Sequence, residues 1–84
     1  IVQLQKLKTL SLSFTRITNK GLPKLKEVGQ LERLRLNCTR IGDDGLTHVA
    51  RMKGLKELWV RSTDVTYPGL VELTKWLSDC EIIR

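Results

Sequence analysis

Apolar residues along this chain recur at a fixed long spacing. The stretch Leu31–Leu36 reads Leu-Glu-Arg-Leu-Arg-Leu, and a shift of 24 residues superposes Leu7, Leu10 and Leu12 on it, and it in turn on Leu55, Leu58 and Val60. The register continues through Thr15, Thr39 and Thr63, then Ile17, Ile41 and Val65, then Gly21, Gly45 and Gly69, then Leu22, Leu46 and Leu70. Self-similarity at such a period marks a solenoid, in which each unit buries its apolar side only by stacking on its neighbours. Alternation within the short leucine run predicts a strand: residues 10 and 12, 34 and 36, and 58 and 60 point inward, and their odd-numbered neighbours outward. The run is too short for a helix, so strand prevails over leucine's helix preference.

Behind each strand the pattern shifts to a spacing of three, which predicts helices burying Leu22, Leu25 and Val28; Leu46, Val49 and Met52; and Leu70, Leu73 and Trp76. Thr18 and Thr66 are suited to cap helix N-termini, and Asp43 and Asp44 place negative charge on a first turn, where the helix dipole favours it. Pro68 fits the first turn of its helix, whereas Pro23 sits deeper and predicts a late start for the first helix, near Gly21 or Leu22. Thr15, Thr39 and Thr63 are expected to turn inward and bond the backbone of the neighbouring repeat's loop, at about 1 kcal/mol each. The aligned glycines predict close approach of helix and sheet; standing 24 residues apart, they form no phosphate-cradling loop. Trp76 and Leu77 read as the start of a C-terminal cap, followed by a last short strand with Cys80 and Ile82 inward; a register with Ile83 inward is the alternative.

The pattern Leu-x-x-Leu-x-Leu-x-x-Thr-x-Ile, followed by a turn and Gly-Leu, resembles the leucine-rich repeat, and most nearly its 24-residue, threonine-bearing bacterial form, in which Ile-Thr-Asp-x-Gly-Leu opens the helix. The resemblance runs from end to end. It implies an α/β solenoid, a right-handed β-α superhelix with short parallel strands on the concave face and helices on the convex face, and a role in binding other proteins. Gly42 departs from the turn threonine, and Asn19 and Tyr67 depart from its aspartate.

The 84 residues divide into a partial repeat at 1–6, repeats at 7–30, 31–54 and 55–78, and a cap strand at 79–84, together one small domain. Ile1 and Leu4 align with Leu25 and Val28, so the chain opens inside a helix, and a fragment of a longer protein is expected. Cys38 and Cys80 fall two strands apart, about 10 Å, beyond the disulfide limit of about 7 Å. Reduced thiols mildly favour the cytoplasm without assigning a compartment. No stretch approaches the length of a membrane span.

Candidate chemistry is sparse. His48, the only histidine, aligns with outer helix positions, and neither cysteine has a second ligand at metal-binding spacing. Asp43 and Asp44 belong to a helix start, and Glu57 and Asp64 lie among arginines as ion-pair partners. No catalytic residue, metal or cofactor is expected, and the protein is read as a non-enzyme. Arginine is distributed more tellingly: five of the seven lie among the outward strand and loop positions, and none of the eight lysines does. Arginine suits planar and stacking recognition, and aromatic residues with arginine mark interface centres. The concave face is therefore the expected partner-binding surface, with Trp59, Arg35 and Arg61 as anchors and Arg33, Arg40, Phe14 and Asn37 around them, facing an acidic or mixed-charge protein. Arg35 and Trp59 can equally satisfy each other as a cation–π pair on adjacent strands. The second reading is a structural or regulatory segment of a larger enzyme or assembly, packing through the end lined by Ile1, Leu4, Leu7 and Leu10, on itself or on its parent protein. A net charge of +6 raises nucleic acid as a partner, but one outward aromatic per repeat and interspersed carboxylates make a poor strand-tracking groove.

Overall fold

The computed structural model describes residues 8–27 and 30–84. Each leucine run forms a three-residue strand: β1 Thr9–Ser11, β2 Arg33–Arg35, β3 Glu57–Trp59 and β4 Glu81–Ile83. They make one parallel sheet in the order β1-β2-β3-β4. The register keeps the 24-residue period, with Leu10 beside Leu34, Leu34 beside Leu58, and Leu58 beside Ile82. Ile82 is therefore the residue that continues the inward row, with buried Cys80 two positions before it. Ladder bonds extend past the strands, from the Leu12, Leu36 and Val60 N–H groups to the Arg35, Trp59 and Ile83 carbonyls at 2.8–2.9 Å.

Behind the sheet lie a 3-10 helix at Asn19–Glu27, α1 at Asp43–Val49 and α2 at Tyr67–Thr74, each packed on the next. The core between the two layers is built from Leu34, Leu36, Leu58 and Val60 on one side and Leu22, Leu46, Val49, Leu70 and Leu73 on the other, with Ile41 between. Leu34, Leu36, Ile41 and Leu58 are fully excluded from water, whereas Leu10, Leu12 and Ile17 are only half-buried. This is an α/β repeat arrangement. Ile1, Leu4 and Leu7, which the sequence reading assigned to one end of the core, and Val28 lie outside the described residues.

Several local expectations are corrected. The first helix starts at Asn19, ahead of Pro23, and winds as 3-10: Gly21 N–H donates to the Thr18 carbonyl at 3.0 Å, and Pro23, inside the helix, supplies no N–H. Thr18 thus contributes its carbonyl to the helix start, whereas Thr66 caps α2 through its hydroxyl, which accepts from Gly69 N–H at 3.2 Å. Thr15, Thr39 and Thr63 do not reach the next repeat. Each donates its hydroxyl to the carbonyl three residues back in its own repeat, at 2.6–2.8 Å. Each of these hydroxyls has one proton to donate, and the carbonyl at the end of its own strand takes it.

The Asn37, Asn19 and Asp43 side chains do cross. Asn37 Oδ1 accepts from Arg61 N–H at 2.7 Å, Asn19 Oδ1 from Gly42 N–H at 2.9 Å, and Asp43 Oδ1 from Thr66 N–H at 2.8 Å. The last two form one ladder, from residue 19 or 43 of one repeat to the helix start of the next, and the position ends at Tyr67. The aligned glycines were expected to bring helix and sheet together, but two of them make room for this ladder and for the preceding helix: a Cβ on Gly45 would meet Asn19 Oδ1 and stand 2.7 Å from Leu22 Cδ1, and one on Gly69 would collide with the Asp43 carboxylate. Trp76 was expected inside and is 59% exposed, while Leu77 is buried. α2 ends at Thr74, and the Leu77 N–H bond to Leu73 O carries the inward face to the fourth residue after Leu73, where a leucine fits the space.

Candidate functional site

The outward residues of the sheet stand in two rows. Thr9, Arg33, Glu57 and Glu81 form one; Ser11, Arg35, Trp59 and Ile83 form the other. In the second row the Arg35 guanidinium carbon lies 5.4 Å from the centre of the Trp59 ring. Glu57, two residues before Trp59 and so on the same side of the strand, accepts a hydrogen bond from the Trp59 indole N–H. The other Glu57 oxygen lies 3.9 Å from Arg33 Nε. One carboxylate thus holds both the tryptophan and a second arginine, and Arg33, Glu57, Trp59 and Arg35 form a single ordered group. At 3.9 Å, with the Arg33 side chain exposed, this ion pair contributes little stability.

The other expected residues occupy different places. Arg61 and Arg40 are exposed on the loops after β3 and β2, and neither forms an ion pair among the described residues. Asn37 is half-buried and braces two repeats: its backbone N–H takes Ser13 Oγ at 3.1 Å, its carbonyl accepts from Phe14 N–H, and its side chain accepts from Arg61 N–H. It thus links the strand-end loops of the flanking repeats. Phe14 is 82% exposed on the corner after β1, two strands from Trp59, and is not part of the ordered group. Phe14, Cys38 and Ser62 share a left-handed backbone with φ of 56–63°. Cross-repeat bonds from the Phe14 and Cys38 N–H groups, both 2.8 Å, hold that corner where a non-glycine residue would otherwise avoid it.

Two residues were missing from the expected set. Glu57 was read as an ion-pair partner of arginine, but its spacing of two from Trp59 already placed both on one face. Ile83 follows Trp59 in the same row because Ile82 takes the inward position, and so adds an apolar neighbour to the tryptophan.

Burial, then the charges of Glu57 and Glu81, pushes the Cys80 thiol up to about 11. Cys38 and Cys80 are both free thiols. Hydrogen bonds from the Thr66 hydroxyl and then its N–H hold Asp43 below the usual carboxylate range, a scaffold effect. Among the described residues no three His, Cys, Asp or Glu side chains are grouped to hold a metal ion, and no helix is long and apolar enough to cross a membrane.

Comparison with known proteins agrees with the geometry. The Leucine Rich repeat family matches residues 3–26 and 31–50, more than half of the sequence, and the chain belongs to that family. Among solved structures, a chain of the Chaetomium Mex67:Mtr2 subunits is similar, with a TM-score of 0.78 and 19% identity over 98% of this chain. The likeness is one of fold, and this chain spans 56% of that one. No curated protein sequence matches the chain.

Proposed function

We propose that this chain is a protein-interaction module that engages its partner through the open sheet face, with Trp59, Arg35 and Arg61 as anchors and Arg33, Arg40 and Phe14 around them. Leucine-rich repeats generally mediate protein–protein interaction and are typically non-enzymatic, which gives the class. One observation carries the choice of face: an exposed arginine and a half-buried tryptophan pair at the middle of the sheet's outward side, and Glu57 holds the tryptophan in place. Side chains that are ordered before binding lose less entropy on association, and tryptophan and arginine are the residues that most often dominate interface energetics. Arg40 and Arg61, without ion pairs among the described residues, favour an acidic or mixed-charge partner surface. On this reading the units are of the 24-residue bacterial type, repeats 7–30, 31–54 and 55–78 wind as a right-handed superhelix, and the sheet is its concave side. The double variant Trp59→Ala/Arg35→Glu, compared with the native chain in a pulldown, is expected to lose the bound partners; retention of every partner would refute the assignment.

A second reading rests on the half-burial of Leu10, Leu12 and Ile17, whose counterparts Leu34, Leu36 and Ile41, in the repeat with a described strand on either side, are fully buried. Apolar residues left partly open beside the β1 edge suit packing against another copy or another part of a larger protein. Sedimentation equilibrium at micromolar concentration should then show association; a clean 9.6 kDa species with a cooperative melt is the contrary result.

A further inference from the structure

We infer that the helix side carries a second docking surface, a groove between α1 and α2 that receives a short acidic segment of a partner protein bearing a bulky apolar side chain. The groove measures about 470 Å³. Its floor is Leu46, Ala50 and Leu73, its wall is Trp76, and Arg51 and Lys53 stand on its rim. Ala50 opens it by presenting a methyl group where the equivalent positions of the flanking repeats are Lys26 and Thr74. The core does not account for Trp76, because Leu77 already fills the inward position and leaves the indole 59% exposed. An indole is a large apolar surface to leave in water and a frequent interface anchor.

Charge selects the occupant. The Lys53 ammonium lies 5.1 Å from the centre of the Trp76 ring, and neither Lys53 nor Arg51 forms an ion pair among the described residues. The one carboxylate on the groove, Glu72, is drawn to Lys75 at 3.2 Å. An apolar floor beneath unpaired cations fits a hydrophobic side chain flanked by carboxylates. The volume lies within the 300–1,000 Å³ or so of ligand pockets, but those bury about 70–90% of a small molecule. Here Thr47, Arg51, Lys53, Glu72 and Trp76 are all exposed, so the groove opens along its length and suits a segment of chain laid across it. It lies in the helix layer, and Trp59 lies on the sheet's outward face, so this surface stands or falls separately from the one proposed above.

The chain's two tryptophans report the two surfaces independently. A ¹⁵N-labelled sample is titrated with the peptide acetyl-Gly-Glu-Asp-Phe-Glu-Asp-Gly-amide, and in parallel with phosphatidylserine vesicles, while both indole N–H signals are followed. The expected result is a saturable shift of Trp76 with Trp59 unmoved, weakened at least about tenfold by Arg51→Glu/Lys53→Glu and abolished when the peptide phenylalanine is replaced by serine. Both substituted residues are exposed, and unchanged far-UV dichroism confirms that the variant is folded. No saturable shift up to about 1 mM peptide, equal movement of both indoles, or a Trp76 response to vesicles but not to peptide overturns the proposal.

Discussion

Replacing Gly69 with alanine tests the ladder that joins the repeats. Alone in a helix, Gly→Ala is stabilising by about 0.5–1 kcal/mol. Here the added Cβ would occupy the place of the Asp43 carboxylate, which accepts from both the N–H and the hydroxyl of Thr66. Displacing it forfeits that pair of charge-assisted bonds. Each such bond is ordinarily worth about 1.5–3 kcal/mol, but this carboxylate is exposed and water recovers much of the loss, so about 1–2 kcal/mol for the pair is expected. Gly69→Ala should therefore cost the chain about 0–1.5 kcal/mol net, in place of the usual gain. Asp43→Ala alone should lose about 1–2 kcal/mol, and in that background Gly69→Ala should become stabilising by about 0.5–1 kcal/mol, a coupling of about 1–2 kcal/mol. Urea unfolding followed by far-UV dichroism, at constant m-value, measures all four corners of the cycle. Because the folded state lowers the Asp43 pKa, its contribution is fully present above the ordinary value of about 3.9 and is lost as the pH falls from there through the folded value. The gap between native and Asp43→Ala chains should accordingly narrow below about pH 4. The same cost of Gly69→Ala in both backgrounds, or a gap that persists in acid, would show that Asp43 does not carry the repeat-to-repeat link.

Leu34, fully buried with a strand on either side, should lose about 2–5 kcal/mol on change to alanine, and half-buried Leu10 clearly less; equal losses in chemical denaturation would mean that the first repeat is covered as well as the second. Iodoacetamide at pH 8 should modify exposed Cys38 at least about tenfold faster than Cys80, whose thiol at about 11 is ionised on the order of one part in a thousand, and mass spectrometry of the two peptides should show the rates converging in urea.

The repeat period determined most of this protein. Three superposable copies of one leucine pattern gave the strands, the inward rows and the order of the sheet, because a parallel stack with a fixed unit length has one register that buries every leucine. The pairing of Arg35 with Trp59 was legible for the same reason: residues 24 apart must be neighbours. Contacts decided by competition required the tertiary structure. The threonine hydroxyls and the Asn19, Asn37 and Asp43 side chains are all suited to bridging repeats, and only the distances show that the threonines bond locally while the longer side chains cross. The inward choice between Trp76 and Leu77 turned on where α2 ends and how much space lies beneath it, which a spacing of three or four does not distinguish. Glu57 joined the candidate site for a similar reason, since sequence put it beside two arginines and a tryptophan, and only the folded geometry let one carboxylate hold Trp59 and Arg33 together.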